Sequence, residues 1–344
     1  MEERIPTRLG DGAPVFMTRS EIKADIEEGT AIAAKRGKVP ELTQDEMDHI
    51  LDIYASKARF TAVDIGEGCI ISADGSGTRH LASRQQELLA YEQWLGADML
   101  ELWHIDYSYK SVKHVLAFEQ QEMKDTLNIC TAPVQYGAMP DLGRYTQPDG
   151  PIRNWSELLP LGRVAEAQDA QMEAVEHAVA DILYVADGMY EAGADGIDLD
   201  TAGAAGDADF LASLKAIEII RAKYPDFGIE IGMAGEMVFG MHSQIEYDGV
   251  RIAGMGPLAQ MRAAQKAGAT IFGPAVNVNT GKSGAWNVAR AITLVKPCMA
   301  EAQIPIHMNA GMGVGAVPMC RYLPLDATSR ATKTMVEILR LDGL

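Results

Sequence analysis

The sequence has no cysteine pair close enough to bracket a metal or a redox disulfide. Its four cysteines, Cys69, Cys130, Cys298 and Cys320, are scattered and form no CxxC motif. In a chain of 344 residues they read as buried free thiols, not as a disulfide frame or a zinc cluster. Basic runs are missing too. Lys and Arg number 30 against 48 Asp and Glu, a net charge of −18, so nucleic acid and anionic membrane surfaces are repelled. No window approaches the roughly twenty uninterrupted apolar residues of a membrane span. Residues 1–10 lack the apolar core of a secretory signal, so a cytoplasmic location is expected. What is present is an ordinary globular composition, 47% hydrophobic and 23% charged, in a length that suits one α/β barrel or two smaller domains.

Residues 1–60 read as an N-terminal helical extension. Thr18 and Ser20 are placed to cap a helix running to about residue 36, Pro40 interrupts, and Thr43 with Glu46 forms a capping box for a second helix. Residues 61–78 follow as a hairpin and linker, loosely alternating around Gly66 and Gly68 and ending in Asp74-Gly75-Ser76-Gly77.

From residue 79 to 344 the texture becomes a repeat of helix, Gly-Ala joint and strand. The joints are Gly96-Ala97-Asp98, Gly193-Ala194-Asp195 and Gly268-Ala269-Thr270, in which glycine supplies the left-handed end of each helix. Strands are expected at 99–106, 128–135, 196–201, 228–234, 270–277 and 304–309. The helix between 163 and 192 carries Met172, Val175, Val179, Ile182, Ala186 and Met189 three and four apart, the stripe of a helix packed on a sheet. Such alternation forces parallel strands with right-handed crossovers. The expected fold is an α/β, (β/α)8 TIM-type barrel, incomplete at the C-terminus; an open doubly wound sheet is the alternative. A last helix is expected from an Asp326 N-cap to Arg340. Leu341-Asp342-Gly343-Leu344 then repeats the earlier helix-to-strand joint and is expected to launch a further strand.

In either architecture ligands meet the C-terminal ends of the strands. Side chains two apart share a face, and several strand ends carry polar pairs: His104 with Asp106, Asp198 with Asp200, and His307 with Asn309, with Asn277 ending another. Glu230 lies inside an apolar strand, where an ionised carboxylate is costly unless partnered, and Glu236 follows that strand. His104, Asp106, Asp198, Asp200 and His307 offer metal-ligand chemistry, but no HxH or HxxxH spacing supports it, and no metal is expected. Thr280-Gly281-Lys282-Ser283 ends like a phosphate-binding loop without its first glycine, since position 276 is Val276. Gly311, Gly313 and Gly315 lack a following helix, because Val317-Pro318 comes next. Both stretches read as tight loops at a ligand mouth. A lyase or aldolase working through a lysine Schiff base is a competing reading, and none of the six expected strands contains a lysine.

Five strings, spread in order along the chain, resemble one family. They are Leu102-Trp103-His104-Ile105-Asp106-Tyr107-Ser108, Tyr136-Gly137-Ala138-Met139-Pro140, Ala205-Gly206-Asp207-Ala208-Asp209-Phe210, Gly232-Met233-Ala234-Gly235-Glu236-Met237 and Asn309-Ala310-Gly311-Met312-Gly313-Val314-Gly315. The family is the pyrrolysine-containing dimethylamine:corrinoid protein methyltransferases of methanogens. The resemblance implies transfer of a methyl group from dimethylamine to the Co(I) corrinoid of a cognate corrinoid protein, releasing monomethylamine, in methanogenesis from methylamines. It implies no directly bound cofactor, the corrinoid being carried by the partner protein, and a homo-oligomer is expected.

In this family pyrrolysine is encoded by an in-frame amber codon, and the resemblance places it directly after Leu344. The chain is then the product of reading that codon as stop, and such a product is expected to be inactive. An inactive or abortive fragment is accordingly the second reading. The pyrrolysine imine is expected to hold the amine nitrogen, with Glu236, Glu230 and His307 as catalytic residues, the two glutamates serving as proton donors. Asp198 and Asp200 supply charge around the cationic amine, with His104, Asp106, Gln135, Asn277 and Asn309 as further substrate-binding residues.

Overall fold

A computed structural model describes residues 2–58, 61, 100–101, 134–138, 142–240, 244–320 and 323–344. The chain divides into two compact units, one made of residues 1–98 and 274–344 and the other of 99–273.

The first unit opens with a hairpin that the sequence reading did not assign. β1 (Arg4–Arg8) pairs antiparallel with β2 (Pro14–Thr18), Ile5 opposite Met17 and Thr7 opposite Val15. Pro6 and Pro14 hide it in the sequence, since proline argues against a strand everywhere except at edges, and both strands of an isolated ribbon are edges. α1 (Arg19–Gly37) starts on a capping box: Thr18 Oγ1 accepts from the Glu21 amide at 3.1 Å, and the Glu21 carboxylate accepts from the Thr18 amide at 2.7 Å. α2 (Gln44–Tyr54) repeats the device with Thr43 and Glu46, at 3.3 and 2.8 Å.

The second unit carries a parallel sheet. β3 (Leu100–Glu101), β4 (Val134–Ala138), β5 (Gly196–Ala202), β6 (Gly228–Met233) and, after a small antiparallel ribbon of β7 (Glu246–Tyr247) and β8 (Val250–Arg251), β9 (Ile271–Gly273) pair in the order β3-β4-β5-β6-β9. α3 (Val164–Glu191) leads into β5, α4 (Asp207–Lys223) lies between β5 and β6, and α5 (Pro257–Ala267) precedes β9. The joints behave as the sequence implies: Gly193 has φ 82° and Gly268 has φ 104°, the left-handed region that glycine enters without a Cβ penalty. Val175, Val179, Ile182 and Ala186 of the expected α3 stripe are buried, as are Ile197, Leu199, Ile229, Ile231 and Phe272 of the strands. A sheet buried on both faces is what helix crossovers produce.

α3 and α4 are also joined at their C-terminal ends. Tyr190 stacks on Tyr224 with ring centroids 3.9 Å apart, and Asp187 accepts from Lys223 Nζ at 2.7 Å and from the Tyr224 hydroxyl at 2.9 Å. The lysine, and then the tyrosine, hold the Asp187 carboxyl below its ordinary range against a smaller opposing effect of burial. A depressed carboxylate stabilises the fold above its unfolded-state pKa and loses that contribution as pH falls through the folded value. Asp187→Asn is therefore expected to lower stability near neutral pH by about 0.2–1 kcal/mol, given the solvent screening of this partly exposed pair. The difference from the parent should vanish in acid denaturation below the ordinary carboxylate range.

The first unit resumes with α6 (Gly284–Glu301) and α7 (Leu325–Thr334), the latter followed by a π-helical turn, Met335–Leu339. α6 is its centre: every residue from Ala285 to Val295 is buried. α1 lies along α6, with Thr30 Oγ1 and Thr293 Oγ1 2.8 Å apart. The lead-in helices thus share one core with residues 274–344. The sequence predicts Asp326 as the N-cap of the last helix, and the structure does not place it there. Pro324 holds that place, and Asp326 turns to Arg8, whose Nε donates to its two oxygens at 2.9 and 2.8 Å. No described helix is long and apolar enough to cross a membrane.

Candidate functional site

Within the second unit two adjacent parallel strands carry carboxylates inside their length: Glu230 in β6, and Asp198 and Asp200 in β5, which are not at the strand end expected from sequence. Asp198 and Asp200 share a face of β5, opposite to Ile197 and Leu199. Asp198 is the Cα partner of Glu230 on β6 and of Gly137 on β4, which sets the two acidic residues side by side on adjacent parallel strands. Both are almost fully buried, at 3% and 2% exposure, and both engage polar or charged partners within the protein. The β5–β6 ladder shifts between Leu199 and Ala202, and in that irregularity Thr201 takes φ 54°. A β-branched residue in the left-handed region carries strain of about 1–3 kcal/mol, of the kind that collects at ligand-facing positions. The Asp200 carboxylate holds the turn by accepting from the Thr201 amide at 2.7 Å.

The chain leaves β5 through Gly203 and Gly206, with φ 79° and 113°, and enters α4 with two acidic residues that the sequence reading did not single out. Asp207 and Asp209 are 1% and 0% exposed. Asp207 Oδ1 accepts from the Ala208 amide at 3.1 Å, and Asp209 Oδ2 from the Ala205 amide at 3.3 Å. Acidic residues in a first helical turn are ordinarily read as complements of the helix dipole, so the sequence signal for their burial is slight. Gly240 closes over Asp207 so tightly that a Cβ there would overlap its carboxylate. Glu236, half-buried, lies in the loop after β6. Gln260 of α5 pins that loop, its amide donating to Met255 O at 3.0 Å and Gly235 O at 3.3 Å.

Within the first unit the residues around His307 form a second group. His307 is 2% exposed and bridges in parallel to Gly343. Gly343 N donates to Ile306 O at 3.2 Å and Met308 N donates to Gly343 O at 3.1 Å. Asp342 secures the pairing by accepting from the Ile306 amide at 2.8 Å. On the other side of the segment, Asn309 N donates to Pro274 O at 3.1 Å. The carbonyl of Asn277 accepts from Arg290 Nη1 at 2.7 Å. The glycine-rich stretch folds back on these strand ends, Val278 N donating to Gly313 O at 2.8 Å and Gly315 N to Val276 O at 3.0 Å. Gly315, at φ 61°, packs on the carbonyl of Asn309 with no room for a side chain. The loop at 280–283 is tied instead to α6: Ser283 Oγ accepts from Trp286 N at 3.2 Å, and Asn287 Oδ1 accepts from Asn279 N at 2.7 Å.

Of the remaining expected residues, His104 and Asp106 lie outside the described residues, and Gln135 sits on β4 in register with Glu101 and Gly196. Among the described residues, no three His, Cys, Asp or Glu side chains are gathered as a metal site. None of the described parallel strands carries a lysine, so a strand-borne Schiff base has no residue to form it there.

The profile of the dimethylamine methyltransferase (Dimeth_PyL) family matches residues 3–344. The chain belongs to that family. Dimethylamine methyltransferases move methyl groups in methylamine metabolism, with a corrinoid protein as partner. Among solved structures the chain resembles the apo form of the homocysteine methyltransferase MmuM from Escherichia coli, at 10% identity over 78% of this chain and 96% of that one. The TM-score is 0.32, too low for that likeness to carry an argument.

Proposed function

We propose that this dimethylamine methyltransferase transfers a methyl group from dimethylamine to the Co(I) corrinoid of a cognate corrinoid protein, releasing monomethylamine. In this reading the fold is a (β/α)8 barrel, and a strand beginning at Gly343 carries pyrrolysine directly after Leu344. The observation that supports it most is the parallel bridge between His307 and Gly343, buttressed by Asp342. Parallel pairing at that joint is how a further barrel strand would enter beside residues 306–308.

Pyrrolysine supplies an electrophilic imine for the amine nitrogen, and the partner's corrinoid supplies the nucleophile that accepts the methyl. The chain's own residues do the rest. Glu230, held on a strand and shielded from water, and Glu236, on a pinned loop, are the proton donors. Asp198 and Asp200 set countercharge for the cationic amine, and His307, Asn277 and Asn309 fix polar groups beside the strand end that precedes pyrrolysine. The tandem mass spectrum of the peptide that includes Leu341–Leu344 and continues past it, from protein made in its native cell, tests the placement. The mass of pyrrolysine is expected after Leu344; an ordinary amino acid at that position in active enzyme overturns it.

A further inference from the structure

α7 is polar yet buried: Thr328, Ser329, Arg330, Thr332 and Thr334 are all shielded from solvent. Arg330 is 2% exposed. One of its amino groups donates to the carbonyls of Ser56 at 2.8 Å and Ala58 at 3.0 Å, while its buried Nε has no hydrogen-bond partner among the described residues. Among the described residues no carboxylate pairs with it, because Asp326, one turn earlier, is held by Arg8 at 2.8 Å. A guanidinium in the interior without a countercharge is expensive, by several kcal/mol in general.

A second orphan lies beside it. Tyr54, at the end of α2, is 2% exposed and its hydroxyl has no partner among the described residues. Burial pushes this phenol up, with the charge of Arg330 acting in the opposite sense, so the hydroxyl keeps its proton and remains a donor. A small crevice opens among these groups, lined by Arg330, Tyr54, Arg8, Asp326, Gly284 and Pro318. Gly284 is the first residue of α6, and a Cβ built on it would stand 3.1 Å from Tyr54 Cε1 and 4.0 Å from the Tyr54 hydroxyl. The crevice is thus bordered by the N-terminal ends of two helices, α6 and α7, whose dipoles favour negative charge.

We propose that this crevice binds a small monovalent inorganic anion, of the size of chloride, between Arg330 Nε and the Tyr54 hydroxyl. Two unused buried donors, one of them cationic, and two helix N-termini define an acceptor of negative charge. With Arg8 already paired to Asp326, Arg330 is the one cation on the wall left without a carboxylate among the described residues, which matches a singly charged anion better than a doubly charged phosphate. The anion ties α2, α6 and α7 together, and its role is separate from methyl transfer.

The test uses the whole chain. At constant ionic strength, replacing potassium gluconate by potassium chloride is expected to raise the thermal midpoint saturably by roughly 2–5 °C. Arg330→Gln should abolish that rise. Tyr54→Phe, which keeps the packing, should weaken it, and this variant carries the test if Arg330→Gln fails to fold. Crystals soaked in bromide should show an anomalous peak within hydrogen-bond reach of Arg330 Nε and the Tyr54 hydroxyl. A midpoint indifferent to which anion is present, or bromide found only at other sites, overturns the proposal.

Discussion

Replacing Glu230 by Gln in the enzyme is expected to slow methyl transfer by about a hundred- to ten-thousand-fold, the range that loss of a positioned proton donor produces. The amide matches the carboxyl in shape, so the thermal midpoint should stay close to that of the parent. It cannot exchange a proton with the substrate, so turnover should not. The structure gives Glu230 this weight because it is 2% exposed and fixed by ladder pairing on both sides, to Asp198 on β5 and Ile271 on β9. Groups carried on strands are held more tightly than groups on loops. Glu236→Gln, in the loop after β6, is accordingly expected to cost less. Single-turnover rates of corrinoid methylation measure both, and an undiminished rate in the Glu230 variant removes that residue from the mechanism.

Gly29→Ala is expected to destabilise the protein although alanine is the better helix former. In the middle of an exposed helix the exchange gains about 1 kcal/mol. At Gly29, however, the new Cβ would lie 2.5 Å from the carbonyl oxygen of Trp286 and 3.3 Å from that residue's Cα. Those are backbone atoms of the buried stretch of α6, which cannot swing aside as a flexible side chain would. Overpacking of this kind costs about 1–3 kcal/mol, so the net sign is unfavourable. Gly188 on α3 provides the control, since a Cβ there meets nothing within 4 Å among the described residues. Gly188→Ala should raise the thermal midpoint and Gly29→Ala should lower it. Equal effects at the two positions would mean that α1 does not approach α6 as closely as described.

Signals that act over a few residues are legible in this chain's sequence. The capping residues of α1 and α2 were legible because Thr18 and Thr43 act on amides three residues away. The left-handed glycines at 193 and 268 and the strands after them were legible for the same reason. Glu230 announced itself as an acid in an apolar strand. Signals that depend on distant partners were not legible. The N-terminal hairpin was hidden by Pro6 and Pro14, tolerated because each strand is an edge. Asp326 has the chemistry of a helix cap but spends it on Arg8, 318 positions away. Asp207 and Asp209 have the chemistry of a helix first turn, and only the packing of Gly240 and its neighbours turns them into buried acids. Arg330 looks in sequence like an ordinary helix-surface cation, and its burial is a product of tertiary packing alone.

The most direct measurement is anaerobic spectrophotometry of the cognate corrinoid protein, reduced to Co(I), mixed with the enzyme and dimethylamine. The expected result is loss of the Co(I) band in favour of methyl-Co(III), dependent on enzyme and on dimethylamine, with one monomethylamine formed for each methyl transferred. A Co(I) spectrum unchanged by dimethylamine, with intact enzyme and reduced partner both present, would contradict it.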